Sequence, residues 1–277
     1  MSGLPTTHQL RTSATLKKHR IAHMNHPERE AVRLAGIMYL LTIASANFGD
    51  FWVRRRLFVL GHPAQTFGKI AASSTLVRAG IAADLVTIAG SVILSVALWA
   101  ILKSVKKNLA LVALFWWLLE CSIAAVATLN MLSVSFLLSS WSPSLQGLKS
   151  EQLDAFAAVF ISVDRSGNRL AGVVFGLGSI VFCYLWFKSR FIPRVLAAWG
   201  MVASLLPILA QLAAVILPSF DVPLRRARAG IPIITFEVML GFWLLLKGVR
   251  ATDLKREAIG FEPLNAAAAN RDRSAQN

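Results

Sequence analysis

Long apolar runs separated by short polar breaks set the pattern of this chain. Six runs reach or approach the ~20 residues that a helix needs to cross hydrocarbon. They cover about 31–53, 81–102, 109–139, 170–187, 195–217 and 231–248. The third is long enough to tilt, or to leave the membrane and continue as an ordinary helix. Trp141-Ser-Pro143 then reads as its stop. Two of the intervening stretches, 54–80 and 140–169, are long enough to form structure outside the membrane. Trp52, Trp99, Trp141 and Trp186 fall near run ends, where interfacial anchors belong. No internal repeat is evident. The pattern predicts an all-α polytopic integral membrane bundle of about six transmembrane helices.

Composition supports that expectation. Of the 277 residues, 56% are hydrophobic and 16% charged, against about 25% charged in soluble domains. A soluble fold could not hide so much apolar surface, whereas lipid tails accommodate it. The net charge of +15 raises nucleic acid as a partner. The basic residues, however, punctuate the apolar runs instead of forming one stripe. That placement predicts the lipid bilayer and its anionic headgroups as partners, and no nucleic acid. Cys121 and Cys183 sit inside apolar runs without metal-ligand spacing.

Orientation follows from Lys and Arg placement. Most of the 29 fall on the side that holds both termini, so the amino and carboxyl ends are predicted cytoplasmic. Arg54-Arg55-Arg56 and Arg225-Arg226-Ala-Arg228 oppose this on the other side. The expected organisation is a basic cytoplasmic tail over 1–30, a six-helix membrane domain over 31–250 and a disordered cytoplasmic tail over 251–277. Met24-Asn-His-Pro27 reads as an alternative start within the first tail. Ala44-Ser45-Ala46 resembles a signal-peptidase site, but the apolar stretch continues to Val53, which predicts a retained helix.

The candidate chemistry lies in the acids. His19, His23 and His26 have one-face helical spacing, yet Pro27 follows and no acid supports them, so a tail is expected and no metal site. Gly172, Gly176 and Ser179 give the fourth run a small-residue face that helix packing explains. Only 14 acidic residues exist. Asp50, Asp84, Glu120 and Glu237 fall within or at the ends of apolar runs, with Asp164 just ahead of the fourth. An ionised carboxylate in hydrocarbon costs at least about 2.5 kcal/mol, so each must be paired, protonated or facing water. From helical rise, Glu237 lies about 9 Å from the outer end of its helix and Glu120 about 16 Å from the inner end of its own. The arginines Arg54–Arg56, Arg78, Arg165, Arg169 and Arg225–Arg228 gather at the outer level. Opposite charges at one depth predict a polar cavity open to the outer face. Pro207 and Gln211 share a face of the fifth helix that could help line it.

Four stretches carry a family resemblance. They are Arg33-Leu-Ala-Gly36 with Asn47-Phe-Gly-Asp50-Phe51 and Arg56-Leu57, then Arg78-Ala-Gly80-Ile-Ala-Ala-Asp84-Leu85. The third is Asp164 followed by Gly172, Phe175, Gly176, Leu185, Ser189, Phe191-Ile-Pro193-Arg194 and Leu196. The fourth is Glu237 with Trp243-Leu-Leu-Leu-Lys-Gly248. In order and spacing the chain resembles, over about residues 30–250, the bacterial multi-pass membrane family named domain of unknown function 4386. The resemblance implies a six-helix domain of a bacterial inner (cytoplasmic) membrane and implies no activity. It also puts Asp84, Glu120, Asp164 and Glu237 where family members carry acids. The fourth helix departs from the family's Leu-His-Cys-like stretch, reading Gly176-Leu-Gly-Ser179, so no histidine role transfers. The first outer loop has His62-Pro63 where Gly-Asp is frequent.

Two functional readings follow. In the first, a small solute or ion is bound or transported through an outward-facing polar cavity. Asp84, Glu120 and Glu237 would then serve as cation or proton ligands, with Arg78 and Arg169 as counter-ions or anion ligands and Asp164 as a further ligand-binding residue. In the second, the protein is non-catalytic, structural or accessory, and its buried acids only fix helix packing. No Ser/His pair, histidine cluster or metal signature in the membrane domain points to an enzyme, a cofactor or a metal.

Overall fold

The computed structural model describes residues 26–59, 62–139, 150–216 and 223–249. All the regular structure among them is helical. Helix α1, His26–Asn47, runs on through a π-helical segment, Phe48–Arg54, and a closing turn, Arg55–Leu57. A short helix α2, Pro63–Ala72, precedes α3, Ser74–Ser139. Helices α4 (Ser150–Ser189), α5 (Arg194–Ile216) and α6 (Pro223–Leu246) complete the order. Four helical stretches, Glu30–Leu57, Ser74–Phe136, Ala158–Ser189 and Arg194–Ala213, are long and apolar enough to cross a membrane, and Gly230–Leu246 is a shorter apolar helix.

Local chemistry sets the breaks. Helix α3 spans two of the apolar runs and changes direction at Lys106, whose φ of −152° and ψ of 97° are extended. The break lies among Lys103, Lys106 and Lys107, all exposed. At the end of α4, Arg190 adopts a positive φ of 58°, and Pro193 follows, which cannot continue a helix that needs its N–H. Helix α6 stops in a left-handed glycine, Gly248 at φ 65°, whose N–H bonds the Trp243 carbonyl at 3.1 Å. Lys247 bonds the same carbonyl at 2.9 Å, the pattern of a glycine-terminated helix.

The helices close into a ring. α1 packs on both α3 and α6, α6 on α5, α5 on α4, and α4 back on α3. Glycines permit the closest approaches. A Cβ on Gly36 of α1 would lie 3.0 Å from the Gly241 carbonyl of α6. One on Gly176 of α4 would lie 3.0 Å from the Ser204 carbonyl of α5. Ser45 of α1 and Thr87 of α3 share a hydroxyl–hydroxyl bond of 2.7 Å. These pairings run neighbours antiparallel and leave the start of α1 beside the end of α6.

Two cores result. The larger lies at the end that holds Lys103 and Lys247, where Leu98, Leu102, Leu185, Trp186, Phe191 and Leu244 are buried. The smaller lies at the opposite end, where Val53, Leu57, Ile70 and Val77 meet Met131, Val134, Phe160 and Ile161. Phe67 of α2 meets Phe160 edge to face at 6.4 Å, and buried Thr66 accepts the Val59 N–H at 2.9 Å. This cap uses the part of α4 that precedes its apolar run. The helix begins at Ser150, well ahead of the hydropathic start at residue 170, because helical packing continues where apolarity falls away. Helix α6 likewise begins at Pro223, ahead of its apolar run. Residues 140–149 hold the Trp141-Ser-Pro143 stop and lie outside the described residues. So do His19, His23, the amino-terminal tail and the carboxyl-terminal tail.

Aromatic–cation pairs mark both ends. Arg55 lies over Phe51 at 4.1 Å and Arg56 over Trp52 at 5.0 Å. At the other end Lys103 lies over Trp99 at 4.9 Å, Lys247 over Trp243 at 4.4 Å and Arg194 over Phe187 at 5.7 Å. An amphipathic ring next to a cation suits the level where apolar core gives way to water.

Candidate functional site

The ring of helices encloses a cavity of about 780 Å³ between the two cores. Its depth can be followed residue by residue, because each wall is a helix rising about 1.5 Å per residue. Thr42, Leu94, Trp117, Phe175, Pro207 and Glu237 form the deepest tier. Above them come Ala46, Ser91, Glu120, Gly172, Gln211 and Ile233. The rim holds Asp50, Arg54, Arg55, Asp164, Arg165 and Arg169, with Asn168 beside them. It lies at the capped end of the bundle, opposite Lys103 and Lys247.

The deepest tier is held by aromatic packing. Trp117 stacks on Phe175 at 5.5 Å and meets Phe182 and Tyr39 edge on at 5.0 and 6.3 Å. Its indole N–H donates to the Ser179 hydroxyl at 3.3 Å. Glu120 stands one turn from Trp117 on α3, with the Cys121 sulfur 3.6 Å from its Oε2. Glu237 on α6 is one turn from Gly241, whose missing Cβ makes room for Tyr39 and Leu40 of α1. The two glutamates are within coulombic range of each other. On α5, Pro207 lies inside the helix and lines the cavity with Ala210 and Gln211.

At the rim, Arg54 is clamped by carboxylates. Its Nη2 lies 2.8 Å from Asp84 Oδ2 and its Nη1 3.1 Å from Asp84 Oδ1, a two-pronged pair between α1 and α3. Nη1 also reaches Asp50 Oδ1 at 3.3 Å. The π-helical segment makes this geometry available. The Arg55 N–H bonds the Asp50 carbonyl five residues back, and the widened turn brings Asp50, Arg54 and Gly49 toward Asp84. Any Cβ on Gly49 would stand 3.2 Å from Asp84 Oδ1. Across the rim on α4, Asp164 is buried, and its Oδ2 accepts from the Asn168 amide at 3.3 Å.

Of the six residues singled out from the sequence, the fold brings Glu120, Glu237, Asp164 and Arg169 to one cavity. Asp84 stands behind the rim in its pair with Arg54 and is not part of the lining. Arg78 is exposed and also away from the lining. The side chains of Arg225, Arg226 and Arg228 lie outside the described residues. The sequence placed Arg54 and Arg165 at the outer level but did not single out Arg54 as Asp84's partner. The 30-residue separation of Arg54 from Asp84 gives no local signal. Sequence reasoning also passed over Trp117 and Phe175 as a floor, since aromatic residues in an apolar run look like ordinary filling. No group of three or more His, Cys, Asp or Glu residues that could hold a metal occurs among the described residues.

No curated protein and no solved structure matches the chain. A family model described as a domain of unknown function matches residues 34–248. That span contains every cavity tier described above. With its long apolar helices, this is a membrane protein, and the chain belongs to the family described as Domain of unknown function (DUF4386).

Proposed function

We propose that the protein binds a small charged solute in this cavity, which opens toward the outer face of a bacterial inner membrane. The observation that carries the reading is the lining itself. A space of about 780 Å³ is in the range of small-molecule sites, and it holds Glu120 and Glu237 at the level of apolar helix faces. Carboxylates at such a depth are expensive unless water, a proton or a cation meets them.

The topology that accompanies this reading has six crossings, with both termini in the cytoplasm. The extended break at Lys106 supports counting α3 as two crossings. Exposed Lys103, Lys107, Lys188, Arg190 and Lys247 crowd the end where α1 begins and α6 ends. That end is our choice for the cytoplasmic face and for contact with anionic headgroups. Transport asks for a second opening there. Leu98, Leu102, Leu185 and Trp186 are wholly buried at that end, which favours binding from one side over free passage.

A specific observation favours the structural reading for one residue alone. Asp84 is committed to Arg54, so its role is to fasten α3 to α1.

Charge-selective thiol chemistry tests the proposal. In a background with Cys121→Ser and Cys183→Ala, Gln211→Cys places a thiol in the cavity wall. A trimethylammonium thiosulfonate should modify it faster than a sulfonate analogue. Adding Glu120→Gln and Glu237→Gln should remove the preference. A thiol inert to both reagents, in folded protein, would mean a dry cluster and would support the purely structural account.

A further inference from the structure

We propose that the solute is a primary organic ammonium ion, a compact apolar body with an –NH3+ head, and that Glu120, Glu237 and Gln211 hold the head. This rests on the binding reading above and names the ligand class for the same cavity.

These side chains line the cavity from three different helices, α3, α6 and α5. Glu120 and Glu237 are close enough to feel each other's charge, yet among the described residues neither forms an ion pair. The hydrogen bond on Glu120 comes from the neighbouring Cys121 thiol at 3.6 Å, and a thiol is a weak donor. Gln211 is only 8% exposed. Among the described residues its amide makes no hydrogen bond. It lies beside Gly172 of α4, where a Cβ would stand 3.3 Å from its Nε2. A buried amide or carboxylate costs stability unless something bonds to it. Among the described residues no ion pair or hydrogen bond ties any of these three groups to another helix, so fastening the ring does not explain their polarity.

The rim carries both signs, Asp50 and Asp164 with Arg54, Arg55, Arg165 and Arg169, so selection falls to the depth. There the glutamates only accept when ionised. Thr42 directs its own proton to the Met38 or Tyr39 carbonyl, at 2.8 or 3.1 Å, so its hydroxyl offers the cavity a lone pair. A ligand for this level brings positive charge and several donors in one group. An ammonium head has three donors and no acceptor. A quaternary ion brings charge without donors, and an alcohol brings a donor without charge. The remaining deep wall is apolar, with Leu94, Ile233 and the stacked pair of Trp117 and Phe175. A hard metal ion asks for about six oxygen ligands, and no group of three or more His, Cys, Asp or Glu residues that could hold one occurs among the described residues. An organic body uses the space of about 780 Å³ and buries apolar surface against that wall.

Thermal stabilisation of the full chain in lipid nanodiscs at neutral pH tests this with four probes that share a phenyl body. Benzylamine carries the ammonium head, and benzyltrimethylammonium keeps its charge without N–H donors. Benzyl alcohol keeps a donor without the charge, and phenylacetate reverses the charge. Benzylamine should bind roughly tenfold more tightly than the quaternary ion or the alcohol, and phenylacetate more weakly than any of them. Glu237→Gln should weaken benzylamine about tenfold and leave the alcohol unchanged, with Glu120→Gln as the second variant should that protein misfold. Gln211→Leu should narrow the gap between benzylamine and the quaternary ion. A quaternary ion or an alcohol that binds as well as benzylamine, or glutamate variants without effect on it, would overturn the primary ammonium. No shift from any probe while Gln211→Cys still prefers the cationic reagent would overturn this ligand class but not the cavity. An unreactive Gln211→Cys would bring down the binding reading itself.

Discussion

Arg54 and Asp84 show how one depth can host two kinds of acid. Their side chains are 18% and 14% exposed, and two hydrogen bonds join them across a helix interface. Removing one partner strands the other charge, which is far costlier than removing both. Asp84→Asn should therefore lower stability by about 2 kcal/mol, less than the fully buried case because water and Asp50 share the arginine. The double variant Asp84→Asn, Arg54→Gln should recover part of that loss. Thermal unfolding in detergent measures both, and a double variant no better than the single would contradict the pairing account. Among the described residues, Arg54 forms its ion pairs with Asp50 and Asp84 and not with Glu120 or Glu237. The sequence made all of these acids visible, because a carboxylate in an apolar run stands out. It could not sort them, since pairing depends on which residues the fold brings within 3 Å of each other.

At the scale of helices, small residues decide how closely the ring can close. A methyl group on Gly176 would meet the Ser204 carbonyl, which is backbone and cannot swing away. Overpacking of this kind costs about 1–3 kcal/mol, which outweighs the ~1 kcal/mol that alanine gains over glycine in a helix. Gly176→Ala should thus destabilise the bundle. Gly68→Ala on α2 is the control, because nothing lies within 4 Å of the added methyl. There only the propensity gain remains, and stability should hold or rise slightly. Equal effects at the two sites would undo the close-packing account of α4 and α5. Gly172 and Gly176 were legible as a packing face. The π-helical segment at Phe48–Arg54 was not, because a single widened turn leaves no hydropathic trace and shows only in the pairing of Arg54 with Asp84. Nor was the early start of α4 legible, since hydropathy reports where lipid is and helices do not end there.

At the scale of the whole molecule, the protein has a sealed end and an open one. The larger core fills the sealed end, and the cap built from α2, α3 and α4 borders the open one. Between them lies a cavity with Glu120 and Glu237 in its depth and both arginines and aspartates at its rim. The apolar runs made an all-helical architecture with long apolar helices legible, because spanning length is a strong signal. The cavity was only half legible: helical rise put Glu237 and Glu120 below the outer aspartates and arginines, but which of these groups share one lining depends on how the ring closes.

The central claim is that this cavity is wet and reached from the outer face alone. Side-resolved labelling tests it most directly. Gln211→Cys, in the cysteine-free background, is exposed to a membrane-impermeant thiol reagent in right-side-out and then in inside-out vesicles. The account predicts modification from the outer face and protection from the cytoplasmic face, with Lys107→Cys showing the reverse. Labelling of Gln211→Cys from the cytoplasmic face, or from neither, would contradict it.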